Sequence, residues 1–456
     1  MWCRPSADGA GTTCREVRVE RELQRRTGRR IQEREEASAD PRVTVCLVTP
    51  GHLATNPRLV KEADALYEAG FRVAVVAARF VAWAEEADRE FVDRPWTVRT
   101  VAFGPRAPLL VYLWQSGLRR LAALLDRHAG ARWGVEARAF HPAVPALARQ
   151  ARQVRAALYI AHNLAALPAA GVAARRHGAR LGFDAEDFHL GELEEGERFR
   201  WERSLVRRLE ARWLPLCRHL TAASPGIAQA YVREYGVCEP VVVLNVFPLA
   251  QAPARPQPPT VAPGPAVYWF SQTLGPDRGL ETAVEALARA TSRPHLYLRG
   301  APRADFAAKL QVRAGELGVG DRLHFLPPIR PGQLVADAAA YHVGLAGEEG
   351  RCVNGQIALS NKAFTYLLAG VPVVLSDTPA QVRLAAELGG AARVYPVGDA
   401  AGLAAALDAI LGEEGRLQAA REVAWSLGRT RFNWDVEKGK FLTSVAAALA
   451  APADGE

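Results

Sequence analysis

The residues best suited to chemistry are two cations, each at the point where a helix should begin. Residues 355–377 read GQIALSNKAFTYLLAGVPVVLSD. Ser360 is a candidate N-cap, Asn361 to Ala369 a short helix, and Ala363, Phe364, Leu367 and Leu368 its core face. A helix start offers unpaired N–H groups and the positive end of the helix dipole, so Lys362 in the first turn is in the wrong place for a structural cation. An anionic ligand such as a phosphate would relieve that conflict. The alternative is an ordinary capped helix with a solvated lysine. Arg278, in SQTLGPDRGLE, stands before a second helix start in the same half of the chain.

A second group is acidic with one histidine. His162 follows the apolar run ALYIA, and Asp184, Glu186 and Asp187 follow RLGF. Both runs read as strands, so these side chains belong at strand ends. His162 there is either a hydrogen-bonded structural residue or part of a cleft. The three carboxylates could in principle bind a divalent cation.

The elements that must position these groups alternate regularly. VTVCLVTP is a buried-strand pattern that starts at Val43. Asn56 is a candidate N-cap, Pro57 opens a helix, Leu59, Ala63, Leu66 and Tyr67 form its apolar stripe, and Gly70 ends it before the strand FRVAVVAA. Strand–helix–strand order predicts a parallel sheet with right-handed crossovers. HLTAAS and VVVLN continue the first half; AVYWFS, HLYLRG, RLHFLP, YHVGLA and VPVVLS build the second. Between the halves, PLAQAPARPQPPTVAPGP is too rich in proline to enter a sheet interior. In open parallel sheets, ligands bind beyond the C-terminal strand ends. That places the loop with Gly51, His52 and Thr55 at the ligand edge, with Asp377 at the corresponding edge of the second half.

The stretch SNKAFTYLLAGVPVV resembles the signature of retaining GT-B-fold glycosyltransferases of family 4, a related form of which reads roughly PNKLFEYLAAGLPVV. Asn361, Lys362, Phe364, Tyr366, Leu367, Ala369, Gly370, Pro372, Val373 and Val374 match it. HNLAALPAA and the DAED run are similar to the family's HxxxxLPAA and DxHE, and Asn245 falls where its first domain ends. The resemblance runs from about Val43 onward and departs at two carboxylates. The family's ribose-binding Glu falls on Thr365, and its upstream Glu falls on Ile357. Arg278 stands at the Lys of the family's phosphate loop and Gln272 at its Arg.

The resemblance implies an α/β chain of two Rossmann-like domains with an interdomain cleft. Residues 1–40 would be a disordered or frayed tail, 42–247 the acceptor domain, 248–265 a linker, 266–430 the donor domain, and 431–456 a helix crossing back to the first domain with a tail. It implies retaining transfer of a sugar from a UDP- or GDP-type donor to a hydroxyl of a glycan, glycolipid or small molecule, as in polysaccharide biosynthesis, with no metal cofactor. His162, Arg278 and Lys362 would be catalytic; Gln272, Asn354, Ser360, Asn361 and Thr365 would bind the donor. Gly51, His52, Thr55, Asp184 and Glu186 would line the acceptor side or cleft. Two other readings stay open: a GT-B sugar-nucleotide epimerase, and a non-catalytic nucleotide- or glycan-binding member of an assembly complex.

Composition bounds the rest. The 456 residues allow two well-cored domains, and 49% hydrophobic with 23% charged residues is globular. No apolar run spans a bilayer and the charged N-terminus lacks a signal-peptide core, so a cytoplasmic location is expected. The six cysteines have neither metal-ligand spacing nor a disulfide framework. The net charge of +8 suits anionic small molecules or lipid surfaces, and without a zinc-finger or RNP pattern nucleic acid is not expected. VYLWQSGLRRLAALLDRH sets Trp114, Leu118, Leu121 and Leu125 against Arg119, Arg120 and Arg127. Such a helix either lies peripherally on an anionic membrane, here the inner face, or packs on a core with its arginines solvated.

Overall fold

The computed structural model describes residues 42–129 and 135–450; the expected N-terminal tail lies outside them. Seven strands form the first sheet: β1 (Thr44–Val48), β2 (Arg72–Arg79), β3 (Thr97–Ala102), β4 (Leu158–His162), β5 (Arg180–Ala185), β6 (Cys217–Ala222) and β7 (Val241–Val242). Six form the second: β8 (Ala266–Leu274), β9 (His295–Pro302), β10 (Leu323–Leu326), β11 (Val343–Ala346), β12 (Val373–Ser376) and β13 (Ala392–Tyr395). Their orders are β3-β2-β1-β4-β5-β6-β7 and β10-β9-β8-β11-β12-β13, and every pairing is parallel. This is the expected pair of Rossmann-like domains. In each sheet the chain runs outward in one direction and then in the other. The reversals, between β1 and β4 and between β8 and β11, are where a crevice opens at the strand ends.

Local chemistry explains the helices that reach those crevices. Asn56 caps Pro57–Glu68 by accepting from the Leu59 N–H, and proline at the first position costs no hydrogen bond. Leu59, Ala63 and Leu66 are buried as expected, but Tyr67 is exposed. The inner face is instead completed by Arg58 and Glu62, both buried. Asn361–Ala369 ends on Gly370, whose φ of 72° is left-handed, and Lys362 through Ala369 are all buried. Such a helix has no solvated face: the Glu414–Thr430 helix lies on its outer side. A side chain on Gly428 could not fit there, because a Cβ would sit 2.5 Å from the Leu367 carbonyl.

The two domains are tied together. The final helix, Trp434–Ala450, packs on β6 and on the Pro57–Glu68 helix, the crossing expected of it. Glu437 accepts from the buried Leu244 N–H at 2.8 Å. Residues 252–265 hold no regular element, but they are not loose. Trp425 donates to the Pro253 carbonyl, Thr260 N–H to Ala340, and Arg421 to carbonyls at Gln257, Ala339 and Tyr341. The linker is laced onto the second domain.

Candidate functional site

At the β1/β4 reversal, the residues expected to act chemically are held inside a buried charge network. The Arg58 guanidinium forks onto Asp184, with Nε 2.6 Å from Oδ2 and Nη2 2.7 Å from Oδ1. Its Nη1 donates to the Val243 carbonyl, and Thr221 donates to the same Asp184. His162 is fully buried. Its Nε2 lies 3.1 Å from Glu62, and its Nδ1 lies 3.3 Å from Asp184 and 3.5 Å from Glu186.

Burial alone would push the imidazole down. The Glu62 charge and the hydrogen bonds to Asp184, Glu186 and Glu62 outweigh it and raise the imidazole well above its ordinary value. An imidazolium with carboxylates on both nitrogens has no lone pair with which to act as a base. Burial likewise raises Asp184, but Arg58 and His162 override it and hold the carboxyl far below its usual range. Glu62 moves the other way, raised by burial and by the Asp184 charge.

Glu62, His162 and Asp184 each offer one ligand atom, all within 4.8 Å of one another. Arg58 already fills the face of Asp184 that a cation would need. Only Glu186 of this group reaches the surface; it accepts from Asn56 Nδ2 at 2.8 Å.

The Gly51–Thr55 loop is also more structural than expected. His52 is buried, with Nδ1 2.7 Å from Asp88, and its Nε2 accepts from the Phe80 and Val81 N–H groups. Thr55 donates to the His52 carbonyl. Gly51 sits half-buried beneath Thr55, where a Cβ would lie 3.4 Å from its hydroxyl.

The β8/β11 reversal gathers the two cations. Lys362 Nζ lies 2.6 Å from Glu348 Oε1 and 5.2 Å from the centre of the Trp269 ring. The conflict between Lys362 and the helix dipole is therefore met by a carboxylate of the chain itself. Ser360 does not cap: its hydroxyl donates to the same Glu348 oxygen at 2.7 Å. Burial pushes the Glu348 carboxyl up, but Lys362, Ser360 and Arg278 together hold it below its usual range.

Arg278 precedes the Leu280–Arg289 helix and donates to Ser271 on β8 at 2.7 Å. Gly279, at φ 69°, lets the two strand-end loops touch: a Cβ there would lie 2.4 Å from the Gly347 carbonyl. Its N–H donates to Glu349 at 3.2 Å. Gln272 and Asn361 are exposed at this edge.

Two other expected positions, Thr365 and Asn354, are not open to it. Thr365 is fully buried, and its hydroxyl donates back to the Asn361 carbonyl at 3.0 Å. Asn354 faces the other domain, donating to Asp187 and accepting from the Phe188 N–H at 2.8 Å. Ile357 packs where a Cβ on Gly226 would come within 2.8 Å of it, and its carbonyl accepts from Ser224. The short helix Val353–Ile357 is thus a clasp between the two domains.

Sequence reasoning missed Arg58, Glu62, Glu348 and Glu349. Arg58 and Glu62 did leave a signal: an i,i+4 ion pair on the face of a helix that otherwise points inward.

No family model matches the chain, and no curated relative does either. Solved structures do. Anabaena HepE in complex with UDP-glucose is 15% identical over 89% of this chain and 99% of its own, with a TM-score of 0.63. Sucrose-phosphate synthase from Thermosynechococcus elongatus is 15% identical over 89% of this chain and 100% of its own, TM-score 0.61. WaaG, a glycosyltransferase involved in lipopolysaccharide biosynthesis, is 14% identical over 91% and 100%, TM-score 0.56. At such identities the likeness is one of fold, and the fold of this chain is GT-B.

Proposed function

We propose that the protein is a glycosyltransferase that moves a sugar from a nucleotide-diphosphate donor, UDP or GDP type, to a hydroxyl, with retention. The observation that carries this reading is the convergence of Lys362 and Arg278 on the β8/β11 reversal. Lys362 lies on Glu348, in the loop after β11, and Arg278 on Ser271 of β8, the two strands between which the sheet order reverses. The matched HepE structures hold UDP and UDP-glucose, which suits the same assignment.

In this reading residues 266–430 hold the donor and 42–247 the acceptor. Glu348 keeps Lys362 in place until a diphosphate takes over its charge. Lys362, Arg278 and the N–H groups at the start of the Asn361–Ala369 helix then stabilise the departing diphosphate, and those contacts strengthen as charge develops. His162 is a positioning residue: it aims Glu186, which faces the cleft. No metal takes part. The test is a transfer and hydrolysis assay with a panel of UDP- and GDP-sugars. One donor consumed, and consumption lost in Lys362→Ala, supports the reading; inertness to all of them overturns it.

One observation favours a second reading, a GT-B protein that binds a nucleotide or glycan without transferring it. Neither position of the missing carboxylates offers a substitute: Thr365 is sealed within its helix, and partly buried Ile357 is apolar and packs against Gly226. A donor that binds in calorimetry yet is never consumed would select that reading.

A further inference from the structure

The helix Leu109–Ala129 is the least covered element of the described chain for its apolarity. Its first six residues, LLVYLW, are all exposed: Leu109 70%, Leu110 81%, Val111 41%, Tyr112 38%, Leu113 55% and Trp114 68%. Further along, Leu121 and Leu124 are exposed as well, and only Ala122 and Asp126 are buried. The core-packing alternative therefore holds for the C-terminal half of this helix and not for residues 109–114. Packing fixes its C-terminal half alone, through Asp126, which accepts from Trp201 at 2.9 Å and from Arg208 at 2.6 Å. The N-terminal two turns project as an apolar tip.

Charge identifies what the tip meets. Arg119, Arg120 and Arg127 are exposed on the same helix. Among the described residues no carboxylate pairs with Arg119 or Arg120, and the single acid of the helix, Asp126, is consumed internally. From Gln115 to Arg155 the sequence holds eight arginines against Asp126 and Glu136. A second copy of this chain would bring like charges together around the tip, on a protein whose net charge is already +8. An anionic bilayer satisfies both features: apolar side chains enter the acyl boundary while arginines one or two turns behind them meet phosphate headgroups. Behind the tip, a cavity of about 570 Å³ is walled by Leu124, Phe140, Leu164 and Leu205 and edged by Arg119 and Arg120 on one side and Glu192 and Glu202 on the other.

We propose that the helix Leu109–Ala129 seats the protein on an anionic lipid surface, with residues 109–114 inserted and Arg119 and Arg120 on the headgroups. No helix among the described residues is long and apolar enough to cross a membrane, so this contact would lie on one leaflet.

The test is flotation of the full chain with vesicles, without nucleotide, so that its outcome is independent of any transferase activity. Wild type should float with vesicles of phosphatidylcholine and phosphatidylglycerol, stay behind with pure phosphatidylcholine, and be released by salt. Leu110→Ser with Trp114→Ser, and separately Arg119→Glu with Arg120→Glu, should each cut the bound fraction roughly tenfold. Melting temperatures should be unchanged, since all four side chains are exposed. Wild type that ignores anionic vesicles, variants that bind as well as wild type, or a wild-type dimer split by Leu110→Ser with Trp114→Ser without vesicle binding would each overturn the proposal.

Discussion

The two sheet reversals hold similar residue types and treat them in opposite ways. At β1/β4 the charges are paired with one another and closed off from solvent, although the Glu62 oxygens and His162 Nε2 meet their partners as ion pairs without hydrogen-bond geometry. Arg58, Glu62, His162 and Asp184 are all buried, and each lies within about one hydrogen-bond length of another member. At β8/β11 a single carboxylate, partly exposed Glu348, is shared by Lys362 and Ser360, with Arg278 alongside. A network buried to this degree fixes backbone and is closed to a ligand. An under-filled one keeps donor capacity that a diphosphate can claim, since an ammonium carries three donors and Lys362 spends one on Glu348. Charge content alone would have ranked the first cluster as the reactive one; the distribution of partners ranks the second.

That contrast can be broken at its strongest point first. Arg58→Met removes the guanidinium that forks onto Asp184 and leaves His162 as the cation beside Asp184 and Glu62, and breaking a buried pair in this way costs about 3–5 kcal/mol. Denaturant titration should show that loss, while nucleotide affinity measured under folding conditions stays near wild type. A fall in affinity with full stability would mean that the first cluster serves the ligand after all.

A smaller effect is expected at the clasp. Asn354→Ala strands Asp187 and the Phe188 N–H, worth about 1–3 kcal/mol, and should loosen the closed arrangement. Small-angle scattering should report a larger radius of gyration for the variant. Identical scattering together with identical stability would show that the clasp carries no free energy.

A third effect is a slope. Lys61 donates to Asn245 and Val246, where the first domain ends. Burial, reinforced by the Arg58 charge, depresses its ammonium from 10.5 to about 7. Between those values the unfolded chain holds a proton that the folded chain has released, so this residue makes stability rise with pH across the window. Subtracting the stability–pH curve of Lys61→Met from that of wild type should leave that rise; a flat difference would place the ammonium in ordinary solvent.

The sequence made the architecture legible where strands are buried on both faces. VCLV, VAVVAA and VPVVL are unbroken apolar runs, and all became central strands. The two strands it did not reveal, Thr97–Ala102 and Ala392–Tyr395, are both at sheet edges, where solvent replaces one neighbour and Arg99 or Arg393 interrupts the run. Helix boundaries followed their caps at Asn56 and Gly370, but Ser360 showed how a capping residue can spend its hydroxyl elsewhere. The candidate site was half legible. Lys362 and Arg278 do meet at one reversal, because strand order brings them there. Glu348, which pairs with Lys362, and Glu349, which accepts from the Gly279 N–H, sit in a short loop after β11 with no periodicity to mark them. The burial of His162, His52 and Thr365 depends on packing from distant elements, which spacing does not encode.

The central claim is that the β8/β11 cations hold a diphosphate, and its most direct test is calorimetric titration of UDP and GDP into wild type, Lys362→Ala and Arg278→Ala. At least one nucleotide should bind wild type, and each alanine variant should lose about 1.5–3 kcal/mol of that affinity, the scale of a hydrogen bond to a charged group. Equal affinity in all three proteins would contradict the account and remove the diphosphate from this crevice.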